Sequence, residues 1–368
     1  MSKRGENIYK RKDNRWEGRY IKEYDDNGKA RFGYIYAKSY REVKEKLSDY
    51  KHNVRQRITS NKKLFSLFCD EWITLSRNRV KNSTYIKYRG ITEKYIKPSL
   101  GSFLPQNINT VIIEKFSNKL LLNKLSTKTV RDILTIIKTI LKYCKRQIGP
   151  TFPDIEIVLP KENKTSIRVL SIEEQTKFIR FLSADMDETK FGVLLSLLTG
   201  MRIGEICALR WQDISLEKKT IQVSSSMQRL KTFNPTSSTK TIIVIGETKS
   251  HASDRIIPLT NYAISLCKKI KPKNNNAFVL TGSAENFIEP RTLQYKFKKY
   301  TETCNLQNVH FHVLRHTFAT RCVEVGFEIK SLSEILGHSS VKITLDRYVH
   351  SSLELKKLNM DKLAAIGF

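Results

Sequence analysis

His312 and Arg315 lie three positions apart in HFHVLRHTFAT, one turn of a helix, so they share a side of it with His316 beside them. Phe311, Leu314, Phe318, Cys322 and Val325 form an apolar stripe on the adjoining side. The stripe is expected to fix that helix to a core and so present an imidazole and a guanidinium at a set geometry. Gly337 reads as the stop of a second short helical run, with His338 directly after it. Tyr348 ends a further run, 341–348, with helical character. Upstream, Arg202 in TGMRIGEICALRW stands at a helix start, where the backbone dipole favours anions, and Glu205 one turn on is placed to hold its guanidinium. Lys249 falls in the turn ETKSH ahead of a strand at 255–258, a position from which a lysine can reach into a cleft; Lys240 is also near that hairpin. Guanidiniums, imidazoles and a phenol converging on one spot suit attack on a phosphodiester. Such attack needs an oxygen nucleophile, charge stabilisation of the phosphorane-like state and a proton for the leaving oxygen. Taken singly each residue has a plainer reading, as a structural histidine, a core tyrosine or a salt bridge; taken together they point to catalysis.

The chain of 368 residues carries 66 Lys and Arg against 36 Asp and Glu, a formal net charge of +30. That excess favours a polyanionic partner, nucleic acid before membrane. With 40% hydrophobic residues it can bury real cores and is no disordered basic tail. No apolar run reaches the roughly 18 residues that a membrane span needs, and MSKRGENIYKRK has no apolar segment of the secretory kind. Six cysteines without CxxC or zinc-like Cys/His spacing read as reduced core residues of a cytoplasmic protein. No carboxylate cluster asks for a metal, and no GxxxxGK[ST] loop asks for ATP.

The elements that must position these groups divide the chain into three domains, 1–63, 64–163 and 164–368. The first holds 19 Lys and Arg against 9 Asp and Glu and alternates as strands near 7–10, 15–22 and 31–36, with a hairpin turn at 25–28 and a capping box, Ser39 to Glu42, opening a helix through about Val54. Trp16 and Tyr20, with Phe32, Tyr34 and Tyr36, are expected to pack on that helix. Arg15, Arg19 and Arg31 then face outward on a small basic sheet that can enter a DNA major groove. Residues 64–163 read as four helices (64–75, 82–97, 109–122, 126–147). Lys87, Arg89 and Lys94 on the second are phosphate-contact candidates, and a proline-rich linker follows at 149–160. The last domain reads as mainly helical with a small antiparallel sheet from 219–228 and 241–258, a capping box at Ser171 to Glu174, a buried helix at 191–198 ending at Gly200, helices near 261–270 and 291–304, and a weak amphipathic tail helix at 353–366. The fold class is therefore multi-domain: a small α+β three-stranded sheet plus helix, an all-α domain, and a mainly α catalytic domain.

Arg202 in TGMRIGEICALRW, Lys249 after strands, His312 and Arg315 in HFHVLRHTFAT, His338 in LGHSS and Tyr348 in TLDRYVH together resemble the tyrosine recombinase, or phage-type integrase, family, in order and spacing. Val313 is a departure, since family members often have an acidic residue there. The resemblance extends over nearly the whole chain. It implies an arm-type DNA-binding domain at 1–63, a core-site-binding domain at 64–163 and a catalytic domain at 164–368. Tyr348 is the nucleophile that it implies, forming a phosphotyrosine link without metal, ATP or other cofactor. Arg202 and Arg315 grip the non-bridging oxygens with forked bonds, His312 assists loss of the phenol proton, Lys249 is the general acid for the 5′ hydroxyl, and His338 donates to the phosphate. The partners implied are double-stranded DNA at core-type and arm-type sites, three further copies of the chain in a tetramer, an excision factor and a DNA-bending protein. A type IB topoisomerase and a DNA-binding regulator with a decayed site are the rival readings. The amino-terminal sheet counts against the first and the intact residue set against the second.

Overall fold

The computed structural model describes residues 7–24, 30–61, 63–150, 152–162, 167–233, 239–247, 253–348 and 360–361. The turn expected at 25–28, Lys249, and the tail helix expected at 353–366 apart from Met360 and Asp361 lie outside the described residues. The chain forms two compact units, Met1–Asn163 and Lys164–Phe368.

The first unit opens with three antiparallel strands, β1 (Ile8–Lys10), β2 (Trp16–Tyr24) and β3 (Ala30–Ala37), followed by helix α1 (Tyr40–Asn61), which runs seven residues past the expected end. Register places Trp16, Gly18 and Tyr20 opposite Ala37, Ile35 and Gly33. Those residues face the helix, where Ile8, Ala37, Val43 and Leu47 form a small core with Trp16, Tyr20, Ile35 and Tyr40 packed against it. The alternation of a strand therefore turns Phe32, Tyr34 and Tyr36 to the opposite side, where all three are exposed, contrary to expectation. Glycine is what sets this parity. A Cβ on Gly33 would lie 2.4 Å from the Tyr20 ring and one on Gly18 2.6 Å from both Val43 and Leu47. The outer face is consequently mixed: the Arg19 guanidinium sits 3.5 Å over the Phe32 ring, and Arg11 and Arg15 approach Tyr36 at 5.5 and 5.7 Å. Arg31 is exposed as well.

Helices α2 (Phe65–Ser76), α3 (Asn82–Ile91), α4 (Lys97–Leu100), α5 (Thr110–Leu122) and α6 (Thr127–Ile148) complete this unit around a second core that includes Phe65, Phe68, Ile96, Phe116, Ile133 and Ile137. Asn109 and Ser126 cap α5 and α6 through their side chains. The second of the expected helices, 82–97, stops just before Pro98. Instead the helix runs on through Pro98: a π-helical turn, Thr92–Ile96, joins α3 to α4 with helical backbone on both sides, the local widening by which a helix accommodates a proline. The segment expected to be a free linker is extended but held: Phe152 is buried, Ile155 and Ile157 pack on the helical core, and Arg131 donates to the Pro160 carbonyl at 2.7 Å. Lys87 is ion-paired with Asp132 at 2.7 Å, Lys94 is exposed beside the Tyr95 ring, and Arg89 is half-buried.

The second unit begins with α7 (Ile172–Ser183), opened by the reciprocal Ser171–Glu174 capping box. Helix α8 (Glu188–Thr199) is buried almost all round and ends at Gly200, whose φ of 68° is left-handed. Then come α9 (Ile203–Ala208) and two small antiparallel sheets. One is three-stranded, from β4 (Ile214–Ser215), β5 (Thr220–Val223) and β8 (Arg255–Pro258); the other pairs β6 (Ser225–Lys231) with β7 (Thr241–Glu247). Helices α10 (Asn261–Ile270), α11 (Pro290–Thr303), α12 (His312–Glu324), α13 (Ile329–Leu336) and α14 (Val341–Tyr348) follow. Along α12, Phe311, Leu314 and Cys322 are buried and Phe318 is half-buried, but Val325 is 76% exposed, because the helix has already ended there. All six cysteines are buried thiols. Among the described residues no helix is long and apolar enough to cross a membrane.

Gly200 ties this unit to its site. It lets α8 stop one residue before Met201 and Arg202, and a Cβ on it would lie 2.6 Å from Phe318 and 2.9 Å from Leu336. Gly200→Ala is expected to destabilise the second unit by roughly 1–3 kcal/mol through overpacking, with the left-handed φ adding to the cost. The check is the urea midpoint of that unit's transition; an unchanged midpoint refutes the close fit.

Candidate active site

Arg202, His312 and His338 line one open cleft of about 580 Å³ in the second unit, together with Glu205, Ser253 and Arg347. Their positions follow from helix ends. Arg202 is the residue before α9, and its backbone N–H donates to Glu205 Oε2 at 2.8 Å while its Nη1 donates to Oε1 at 2.7 Å. Its Nη2 donates to the Gly337 carbonyl at 2.9 Å. Gly337 is left-handed, φ 64°, and ends α13, so its carbonyl and the one before it are the acceptors that a helix terminus leaves open.

Arg315 takes the preceding carbonyl. Its Nη2 donates to Leu336 O at 2.7 Å and its Nη1 to Gly200 O at 3.0 Å. The side chain is buried, only 2% exposed, and burial followed by the nearby Arg202 charge brings its pKa down to about 9. A third guanidinium, on Arg255 of β8, was read from sequence only as part of a strand. It donates from Nε to Ile335 O at 2.5 Å and from Nη1 and Nη2 to the two Glu205 oxygens at 3.1 and 2.9 Å. Ile335, Leu336 and Gly337 thus offer three consecutive carbonyls to Arg255, Arg315 and Arg202. Burial opposes ionisation of Glu205, but the bonds from Arg255 and the charges of Arg255 and Arg202 prevail and hold its pKa below the usual carboxylate range. The signal for Arg255 in the sequence was an arginine at an inward-facing position of a short strand, two residues from the buried Ile257.

His338 follows Gly337. Its Nδ1 pairs with Thr344 Oγ1 at 2.8 Å, which leaves Nε2 as the ring nitrogen for the cleft. Tyr348 is the surprise. It does not line the cleft: it is 6% exposed, in a cluster with Ala319, Cys322, Leu332 and Leu336. Its phenol oxygen lies 2.9 Å from His316 Nδ1. The imidazole on the phenol is therefore His316, a residue that the sequence marked only as a neighbour of His312 and Arg315. Thr344 and Tyr348 are one turn apart on α14, so one face of that helix touches both His338 and His316. Burial raises the Tyr348 pKa against the pull of Arg315 and Arg347. All three imidazoles are pushed down: His312 and His316 to about 4 and His338 to about 3. Burial leads in each case, followed by His316 and Arg315 for His312, by Arg347 for His316, and by Arg315 for His338.

The family model "Phage integrase family" matches residues 168–354, just over half of the chain, and "Phage integrase, N-terminal SAM-like domain" matches residues 64–121. Among similar proteins, a "Tyrosine recombinase XerC-like" protein of Caldanaerobacter subterraneus subsp. tengcongensis is 28% identical over 363 residues, covering 89% of this chain and 90% of the relative. The transposase from transposon Tn916 of Enterococcus faecalis is 27% identical over 218 residues, covering 53% of this chain and 52% of the relative. Among solved structures, the Tn1549 transposon integrase in complex with a circular intermediate DNA has a TM-score of 0.68 at 19% identity, covering 82% of this chain and 99% of that one. A lambda integrase tetramer bound to a Holliday junction has a TM-score of 0.57 at 16% identity, covering 95% and 98%. At such identities the structural likeness speaks for the fold.

The depressed imidazoles give a pH dependence of definite sign. An unfolded histidine titrates near 6.5, the folded ones near 4 or below. Between those values the unfolded chain binds more protons, so stability is undiminished above pH about 6.5 and declines as pH falls toward about 4. NMR titration of the free protein is expected to find His312, His316 and His338 still neutral at pH about 5.5, where an unperturbed imidazole is mostly protonated. A normal midpoint at all three sites contradicts the burial argument.

Proposed function

The chain belongs to the phage integrase family, and from that premise we propose that it is the integrase of a mobile element, a conjugative transposon or prophage, which integrates and excises DNA through a covalent 3′-phosphotyrosine. The observation that carries the reading is the cleft itself. Two guanidiniums, Arg202 and Arg315, are fixed on adjacent carbonyls of one helix end, with His312 and His338 beside them. The scissile phosphate enters here. Arg202 and Arg315 neutralise its non-bridging oxygens as charge builds, His338 Nε2 adds a hydrogen bond, and the Tyr348 oxygen attacks phosphorus in line. The bond from phosphorus to O5′ breaks, the leaving oxygen takes a proton from Lys249, and the phenol proton passes to His312. The phosphotyrosine keeps the energy of the broken bond, and a 5′ hydroxyl of a second strand reverses the step. Since the phenol is stowed against His316 and is hard to ionise, attack requires α14 to shift and the proton to leave during attack rather than before it.

The three-domain division assigns separate tasks. Residues 164–368 carry the chemistry, 64–163 grip the core-type site with Lys87, Arg89 and Lys94, and 1–63 hold an arm-type site through Arg15, Arg19 and Arg31. Counterion release by these cations makes the binding strongly salt-dependent. Exchange between two duplexes uses four copies of the chain, with an excision factor and a DNA-bending protein as accessories, in the bacterial cytoplasm.

A nicked suicide substrate tests the chemistry: the native chain is expected to trap a covalent adduct, and Tyr348→Phe to bind the same DNA without one. An adduct with the phenylalanine variant overturns the assignment of the nucleophile. Removing residues 1–63 is expected to abolish the arm-site footprint while core-site cleavage persists; an unchanged arm-site footprint refutes that division of labour.

A further inference from the structure

We propose that Arg255 is a positioning residue for the phosphate grip, acting through Glu205 and the end of α13 to hold Arg202 in its working orientation. The inference rests on the recombinase reading above and adds to it a residue outside the cleft. Arg255 does not line the cleft, and its side chain is 5% exposed. Its donors are committed in three directions: Nε to Ile335 O, Nη1 to Glu205 Oε1 and Ser253 O, and Nη2 to Glu205 Oε2.

The Glu205 carboxylate is thereby shared evenly. Each oxygen accepts once from Arg202 and once from Arg255: Oε1 from the two Nη1 atoms, Oε2 from the Arg202 backbone N–H and the Arg255 Nη2. A carboxylate clamped on both oxygens from the far side cannot swivel, so the bond it offers Arg202 has one direction. The other bond from Arg202 ends on Gly337, two residues beyond the carbonyl that Arg255 holds. One guanidinium therefore fixes both of the surfaces against which Arg202 is braced. Lysine at this position keeps the charge but not the fork. It can hold one oxygen or one carbonyl, and leaves Glu205 free to rotate.

The test uses the full chain, a core-site duplex and its nicked suicide form, with the native chain and Tyr348→Phe as controls. If the native chain forms no adduct, the recombinase reading itself fails and this inference falls with it. If the native chain does form the adduct, Arg255→Lys is expected to bind the intact duplex within about twofold of native while adduct formation slows by about 10- to 100-fold, the scale at which small misplacements act. Adduct formation at the native rate overturns the proposal, as does a loss that merely parallels loss of binding and of folded protein. Should the lysine variant not fold, Arg255→Gln removes the buried guanidinium while leaving Glu205 paired with Arg202, one negative charge against one positive. That variant is expected to bind and cleave slowly, and cleavage at the native rate overturns the proposal equally.

Discussion

Three like charges crowd the end of one helix, and the fold depends on keeping them there. Arg202, Arg315 and Arg255 come from three separate elements, and with Arg315 and Arg255 buried their mutual repulsion is screened less than at a surface. Two things hold them. The carboxylate of Glu205 supplies one full negative charge. The last carbonyls of α13 supply the rest, since a helix terminus carries partial negative charge and unsatisfied acceptors. The balance remains positive. Under the function proposed above, a phosphodiester is the anion that such a surplus suits. Burial lowers the pKa values of Arg315 and the imidazoles, and the neighbouring positive charges lower them further.

Tyr348, the proposed nucleophile, lies under the pull of Arg315 but has its oxygen on His316, outside the cleft lining. Its helix is short, and a single face of it bears Thr344 on His338 and Tyr348 on His316. Moving α14 to expose the phenol disturbs the partner that sets the His338 tautomer. The site thus has two layers: guanidiniums braced on backbone carbonyls, and one face of α14 that holds His338 and His316.

Much of this was legible in the sequence because local rules decided it. The Ser39 side-chain cap on Glu42 N–H, the capping box at Ser171, the glycine stops at Gly200 and Gly337 and the Arg202–Glu205 spacing all depend on residues within a turn of one another. What escaped depends on contacts far along the chain. Arg255 reaches Glu205 across fifty positions, and His316 meets Tyr348 across thirty-two; neither pairing leaves a periodic trace. Pro98 misled because a π turn upstream made room for it. In β3 the aromatic residues looked like core, yet the side that meets α1 was chosen by what could approach closely, which is glycine at 18 and 33. Val325 was assigned to a stripe that outran its helix. The proline-rich stretch at 149–160 lacked helical period and so looked free, while alternate apolar residues tie it to the core.

The buried cysteines bear on how this molecule can be studied. Burial raises the pKa of every one of them, to about 12 for Cys69 and about 11 for Cys267 and Cys322, so at neutral pH almost none is thiolate. Alkylating reagents and spin labels, which need an accessible thiolate, therefore find the native chain nearly silent. A single cysteine engineered beside the aromatic rings of the amino-terminal sheet, or on the exposed side of α14, becomes the sole reactive handle, and its crosslinks or spectra report that one location without any native cysteine being removed.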